Sequence, residues 1–249
     1  MIKGIIFDLG STLIQFKSNW PDVVRAGAEA TATWFFKQRR IKVDQESLVE
    51  AILEQRRIAF AQAAETLQEA QMRQILLAAL QQTNVSKRAE TMLDMALRQF
   101  FGPEEAAHDP FPDAAATLKT LRAAGLKVGI LSNAPDDRLV QRLVNINGLR
   151  PWASPVFSSA GLGWRKPSPQ PFALIAKRWQ LPPEQIAVVG DSLVADILGA
   201  QSAGMAGILA EMAPNPANAQ ATHIRPDRRI TALAQVPPLI QAWPLPSDC

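Results

Sequence analysis

The sequence predicts an α/β fold: a doubly wound parallel sheet with an inserted all-helical domain. Three observations predict it. Short apolar, β-branched runs alternate with helical periodicities over residues 113–209, as in right-handed strand–helix–strand crossovers. Between Pro21 and Gly102 there is no proline and one glycine, Gly27, in a stretch rich in the strong helix formers Ala, Leu, Gln, Glu and Arg. Four polar islands, FDLGST at 7–12, ILSN at 130–133, WRKP at 164–167 and VVGDSLVAD at 188–196, each end or closely follow an apolar run. Open α/β sheets build their sites at the carboxyl ends of their strands, where such islands would meet.

In chain order, KGIIFD at 3–8 is the first strand. The helical block follows at 17–103, with apolar residues at helical spacing in Leu48, Ile52 and Phe60 and again in Met72, Ile75, Leu76 and Leu80. It reads as four or five helices packed on one another. Pro103, Pro110 and Pro112 punctuate the return to the sheet. Strands are expected at 127–132, 154–157, 186–190 and 206–209, with a weak sixth at 222–225. Helices are expected at 113–124, 136–147, 168–179 and 193–203. Residues 1–16 and 104–249 thus form the α/β core and 17–103 the insertion. Beyond residue 210 a proline-rich tail wraps the core surface.

With 47% hydrophobic and 20% charged residues the chain has an ordinary globular composition and can bury a substantial core. Its net charge of +3 comes without a dense basic block, which argues against a nucleic-acid partner. The single cysteine, Cys249, allows no internal disulfide, as expected in a reducing cytoplasm. Asp8 breaks the first apolar run too early for a signal peptide, and no apolar span is long enough for a bilayer. The expectation is a cytoplasmic protein without a membrane partner.

Asp8, at a strand end, could attack an electrophile and form an acyl-type intermediate that water splits, or it could simply cap the following turn. The Leu9 and Gly10 backbone N–H groups could hold anionic oxygens. Asp191 and Asp196, with Asp8, could supply oxygen ligands for Mg²⁺, although Asp191 and Ser192 would also serve as a helix N-cap. Lys166 would direct positive charge at a phosphate and keep a nearby aspartate ionised; its neighbour Arg165 could do similar work and spacing alone does not exclude it, and a solvated surface role is the plainer one. Ser132 and Asn133 could bind phosphate oxygens or only satisfy a turn. Four islands in order, each at a strand end, carry more weight than any one.

Together these motifs resemble the haloacid dehalogenase superfamily, whose core is Rossmann-like and whose members are dominated by Mg²⁺-dependent phosphatases. The resemblance spans Asp8–Thr12, Ser132, Lys166 and Asp191–Asp196, and the wording of AAGLKVGILSN, RKPSPQPFALIAKRW and VVGDSLVADILGAQSAGM is close to the family's. It implies that Asp8 is nucleophile and metal ligand, that the Gly10 carbonyl and Asp191 complete the protein ligands, and that Asp196 supports the metal's waters. It further implies that Ser132 and Lys166 hold phosphate, beside the Leu9, Gly10 and Asn133 groups that the residues themselves suggest, that Lys166 pairs with Asp8, and that the helical block is a cap over the site. The substrate would be a small phosphorylated metabolite.

One position departs from the pattern. Family phosphatases usually carry a second aspartate two residues after the nucleophile, where this chain has Gly10. Glycine can neither protonate a leaving oxygen nor activate water, a loss of about 10²–10⁴-fold for poor leaving groups. His108 is a candidate replacement acid, against the plainer reading of a hydrated hinge residue. His223 reads as structural, Asp136 and Asp137 as helix N-terminal acids. Arg56 and Arg57 would face either an anionic substrate or solvent. Two rivals to the phosphatase remain: a metal-free 2-haloacid dehalogenase, which also lacks the second acid, and a non-catalytic module binding a phosphorylated ligand or a protein. Retention of both motif-four carboxylates favours phosphate over halide. Retention of Asp8, Lys166 and Asp191 argues against a non-catalytic module.

Overall fold

The computed structural model describes residues 1–38, 41–85 and 87–243. Cys249, the lone cysteine of the sequence reading, lies outside the described residues. The chain divides into two compact units, Met1–Phe16 with Asp109–Cys249, and Lys17–His108.

The first unit is built on a six-stranded sheet. Its strands are β1 (Gly4–Phe7), β4 (Lys127–Ser132), β5 (Val156–Ser158), β6 (Ile186–Gly190), β7 (Ala206–Ala210) and β8 (Arg228–Ile230), in the spatial order β5-β4-β1-β6-β7-β8. All neighbours are parallel, with Phe7 opposite Ile130 on one side and Val189 on the other. The three central strands are therefore in register, and Asp8, the residue after Phe7, falls at their common carboxyl edge. Two short strands, β2 (Ile14–Phe16) and β3 (His108–Pro110), pair with each other where the insertion leaves and returns. At three residues each, they are too short to show an alternating pattern.

Burial explains the apolar strands. Ile5, Ile6, Phe7, Val128, Ile130, Ile186, Val188 and Val189 are all essentially inaccessible, as a parallel sheet covered on both faces requires. On one face Phe172, Ile175 and Trp179 of the helix Pro169–Trp179 pack with Ile6, Leu131 and Val188. The Trp179 ring lies against Gly4 and Gly129, where no larger residue would leave it room. Ser168 caps this helix, its hydroxyl accepting from Gln170 N at 3.4 Å.

The sixth strand is corrected. Residues 222–225 are turn and coil, and pairing begins beyond Pro226, with Ile208 opposite Arg228. Proline lacks the N–H that a ladder needs. Asp227 instead starts the pairing, its backbone N–H donating to Gly207 O at 2.9 Å and its carboxylate accepting from Gly207 N at 2.7 Å. Ile224, which suggested a strand, is buried in a side cluster with Leu193, Ile197, Leu209 and Ala221. The helix expected at 193–203 is also different in kind: Leu193–Leu198 is a π-helix, and only Gly199–Ser202 is α-helical.

The second unit holds helices Trp20–Phe36, Gln45–Thr66, Met72–Gln82 and Leu93–Ala106, with a short turn of helix at Lys87–Glu90. The last long helix runs through Pro103 to Ala106, so the return comes at residues 108–109 and not at the proline. Gly27, the only glycine between Pro21 and Gly102, is there for a steric reason: a Cβ would run into the Phe100 carbonyl of the helix packed against it. Among the described residues no helix is long and apolar enough to cross a membrane.

Candidate active site

Asp8 leaves strand β1 with its N–H donating to Val189 O at 2.8 Å, which fixes its backbone between β1 and β6. The chain then turns sharply. Leu13 N and Ile14 N both donate to Leu9 O, at 2.8 and 3.0 Å, and Ser11 takes a left-handed φ of 57°. Such a conformation costs a non-glycine residue about 1–2 kcal/mol. Gly10 sits partly exposed in this turn, and a Cβ built on it meets nothing within 4 Å.

Lys166 is the lysine or arginine that faces Asp8. Its ammonium donates to Asp8 Oδ1 at 2.6 Å, to Asp196 Oδ1 at 2.6 Å and to Leu131 O at 2.9 Å, using all three protons. The sequence left Arg165 as an alternative; Arg165 is only half-buried, whereas the Lys166 side chain is 2% exposed. Asn133 was expected among the phosphate ligands. Its side chain instead holds the Lys166 backbone, accepting from Lys166 N at 2.8 Å and donating to Lys166 O at 2.9 Å. This amide pair ties the loop after β5 to the end of β4. Ser132 is nearly buried at the last position of β4.

Asp191 follows Gly190 at the end of β6. Asp196 lies on the π-helix, 1% exposed, with Oδ2 accepting from Ser192 N at 3.0 Å. One carboxylate oxygen from each of Asp8, Asp191 and Asp196 lies within 4.8 Å of the others. Both Asp196 oxygens are engaged, Oδ1 by Lys166 and Oδ2 by Ser192 N. Each of the other two acids keeps an oxygen that these bonds do not use, since Lys166 takes Oδ1 of Asp8 and Asn215 takes Oδ2 of Asp191.

Electrostatics follows from burial. Desolvation pushes the Asp8 carboxyl up to about 7; Lys166 opposes this, while Asp196 and Asp191 add to it. Asp191 is pushed up to about 6, again by burial and then by the Asp196 charge. Burial alone would pull the Lys166 ammonium down, but Asp196 and Asp8 together hold it above the ordinary lysine range. Three acids and one base so placed can bind a divalent cation with oxygen ligands, and present a carboxylate nucleophile beside fixed positive charge.

The outlying candidates behave differently. His108 is buried, its Nδ1 donating to Glu104 O at 2.9 Å and its ring 6.3 Å from that of Trp20. Burial pulls its pKa below the ordinary imidazole value, so it is a poor reservoir of protons at neutral pH and not a hydrated hinge residue. His223 is exposed in a turn, which corrects its reading as structural. Asp136 caps the helix Asp137–Ile146 by accepting from Leu139 N, and Asp137 accepts from Ser158 Oγ, both at 2.7 Å. Arg57 is paired with Glu54, and the Arg56 guanidinium lies 4.2 Å from the Phe60 ring centroid. The sequence reading missed Asn215 and Asn218. Both contact Asp191, and their only signal was a cluster of Asn and Pro that also suits any turn.

The haloacid dehalogenase-like hydrolase family matches this chain over residues 2–204. The chain belongs to that family. As a haloacid dehalogenase-like hydrolase it is similar to the glyceraldehyde 3-phosphate phosphatase of Methanothermobacter thermautotrophicus, 33% identical over 100 residues, covering 40% of this chain and 44% of the relative. It is similar also to the phosphoserine phosphatase of Thermus thermophilus, 31% identical over 140 residues, covering 56% of this chain and 55% of the relative. The chain thus spans about half the length of these curated relatives. Among solved structures, the 2-haloacid dehalogenase of Pseudomonas syringae pv. Tomato DC3000 superposes with a TM-score of 0.70 at 26% identity, covering 98% of this chain and 100% of that one.

Proposed function

We propose that this hydrolase is a Mg²⁺-dependent phosphomonoesterase, acting on a small phosphorylated metabolite through an aspartyl-phosphate on Asp8. The observation that carries the reading is the charge count of the site: one oxygen of each of three carboxylates lies within 4.8 Å of the others, and the single ammonium beside them among the described residues, that of Lys166, pairs with only Asp8 and Asp196. Two uncompensated negative charges in a buried place are costly, and a divalent cation cancels them. Asp8, Asp191 and the Gly10 carbonyl would hold Mg²⁺, with Asp196 bonding its waters; the bound ion would neutralise the carboxylates and polarise the phosphoryl group.

The remaining chemistry belongs to the chain. Asp8 attacks phosphorus with a carboxylate oxygen as the bond from phosphorus to the leaving oxygen breaks. That oxygen takes its proton from water, because Gly10 offers none. Water then attacks the phosphorus as the bond from Asp8 to phosphorus breaks, releasing to solvent a proton that replaces the one the leaving oxygen took, and inorganic phosphate leaves with Asp8 restored. Lys166 keeps Asp8 oriented and adds positive charge where the phosphoryl oxygens gather. The Leu9, Gly10 and Asn133 backbone N–H groups and the Ser132 hydroxyl would hold those oxygens. The helical unit Lys17–His108, inserted after the strand that presents Asp8, would serve as a cap that excludes water and selects the substrate. Three-carbon phosphates come first as substrates, on the names of the two phosphatase relatives.

A second reading has its own support: the dehalogenase that matches along its whole length, together with Gly10. In it Asp8 would displace halide from carbon, and water would split the resulting ester. The retention of Asp191 weighs against it, since halide displacement needs no third acid. The test is hydrolysis of acetyl phosphate, p-nitrophenyl phosphate, glyceraldehyde 3-phosphate and 2-chloropropionate by wild type and Asp8→Asn, with Mg²⁺ or EDTA. Phosphate release that needs both Mg²⁺ and Asp8 supports the proposal. Chloride release in EDTA, with no phosphate release, overturns it.

A further inference from the structure

Asp191 is gripped by a segment that lies beyond the matched family region. After strand β7 the chain runs through Pro214 and Asn215 into the 3-10 turn Pro216–Gln220. Asn215 Nδ2 donates to Asp191 Oδ2 at 2.8 Å. Asn218 Nδ2 donates to the Asp191 carbonyl at 2.9 Å, and Asn218 Oδ1 accepts from Leu193 N at 2.9 Å. One amide thus spans the turn Asp191–Leu193 while the other fixes the acid's side chain. The same turn opens the π-helix that carries Asp196, whose Oδ2 is bonded to Ser192 N. The Asn215 side chain is itself held, its Oδ1 accepting from Ala217 N at 3.2 Å.

We propose that Asn215 is a positioning residue that sets the divalent-cation affinity of the site by locking the Asp191 carboxylate, with Asn218 fixing the backbone beneath it. The inference rests on the phosphatase reading, in which Asp191 is a metal ligand. A free aspartate rotates about two side-chain torsions. With Oδ2 bonded to Asn215 and the backbone bracketed by Asn218, the carboxylate has less freedom left to lose when a cation binds. Hydrogen-bonding partners behind metal ligands are typically worth about 10–100-fold in affinity or activity.

The experiment measures Mn²⁺ binding directly, from the electron paramagnetic resonance signal of free Mn²⁺, for wild type, Asn215→Ser, Asn215→Ala and Asp191→Asn. Serine retains an oxygen that can accept from Ala217 N but cannot reach Asp191, so it isolates the lost bond should the alanine variant fold poorly. Metal-free melting temperature is measured alongside. The expected result is a Kd for Mn²⁺ about 10-fold or more weaker in Asn215→Ser, with a metal-free melting temperature near that of wild type. The Mg²⁺ concentration for half-maximal phosphate release should rise by the same factor, while turnover recovers at high Mg²⁺. A wild-type Kd in Asn215→Ser overturns the inference and leaves the phosphatase reading standing. Absence of Mn²⁺ binding by wild type, or equal binding by wild type and Asp191→Asn, overturns both.

Discussion

Lys166 Nζ lies 2.6 Å from Asp8 Oδ1, joining residues 158 positions apart in the chain at the carboxyl edge of the sheet. The same ammonium reaches Asp196 Oδ1 and Leu131 O, so one side chain ties together the ends of β1 and β4 and the π-helix after β6. Breaking a buried pair leaves the partner charges stranded, at about 3–5 kcal/mol. Lys166→Met should therefore lose about that much stability in EDTA at pH 8, measured by urea unfolding. At pH 5.5 the loss should be smaller, because Asp8 and Asp191, pushed up to about 7 and about 6, then take up protons. An equal loss at both pH values would mean that Lys166 contributes packing and not charge.

The raised carboxyls give a second, signed expectation. Asp8, near 7, and Asp191, near 6, hold protons in the folded state that an unfolded aspartate has already released. Between about pH 4 and 7 the folded protein binds more protons, so this contribution to stability is fully present below the unfolded aspartate pKa of about 3.9 and is lost as pH rises through the folded values. Metal-free protein should thus lose stability from these groups across that window. At the proposed site Mg²⁺ would compete with the same protons, so the rise in melting temperature on adding Mg²⁺ should grow from pH 5 to pH 8. A gain that is flat with pH would place the cation elsewhere.

Much of this site could be read from the chain, and the reason is geometric. A parallel sheet brings every strand's carboxyl end to one edge, so Asp8, Ser132 and Asp191 needed only the strands to be recognised. Lys166 was less legible, because it stands on a loop and only the fold distinguishes it from Arg165. Asn133 looked like a ligand because an amide suits phosphate, yet it holds the Lys166 backbone. The pair β2 and β3, strand β8 and the Asn215–Asn218 bracket were illegible for a shared reason. Each is three or four residues long and is defined by a partner distant in sequence, so no local periodicity announces it.

Gly10 is the position where sequence and space can be tested together. Apart from its chain neighbours nothing lies within 4 Å of a Cβ there, so a side chain can start from Gly10 without a clash. Gly10→Asp should raise turnover of an alkyl phosphate by about 10²–10⁴-fold and that of p-nitrophenyl phosphate far less, since only the alkoxide needs a proton. The measurement is the ratio of kcat/KM for the two substrates. An unchanged ratio would mean that proton donation does not limit this enzyme.

Gly190 makes the opposite case. It ends β6, whose backbone is paired with β1 and β7 and cannot yield, and a Cβ there would run into the Asp196 carboxylate. The acid would have to leave its place, giving up the bonds from Lys166 Nζ and Ser192 N. Overpacking alone costs about 1–3 kcal/mol, and two charge-assisted hydrogen bonds are lost with it. Gly190→Ala should therefore be destabilised by more than about 2 kcal/mol and lose the Mg²⁺-dependent turnover proposed above. Gly10→Ala, in open space, should stay within about 0.5 kcal/mol of wild type. Thermal unfolding of the two variants side by side distinguishes the cases. If Gly190→Ala melted like Gly10→Ala, Asp196 could not be packed against β6 as described, and its link to Lys166 would fall with it.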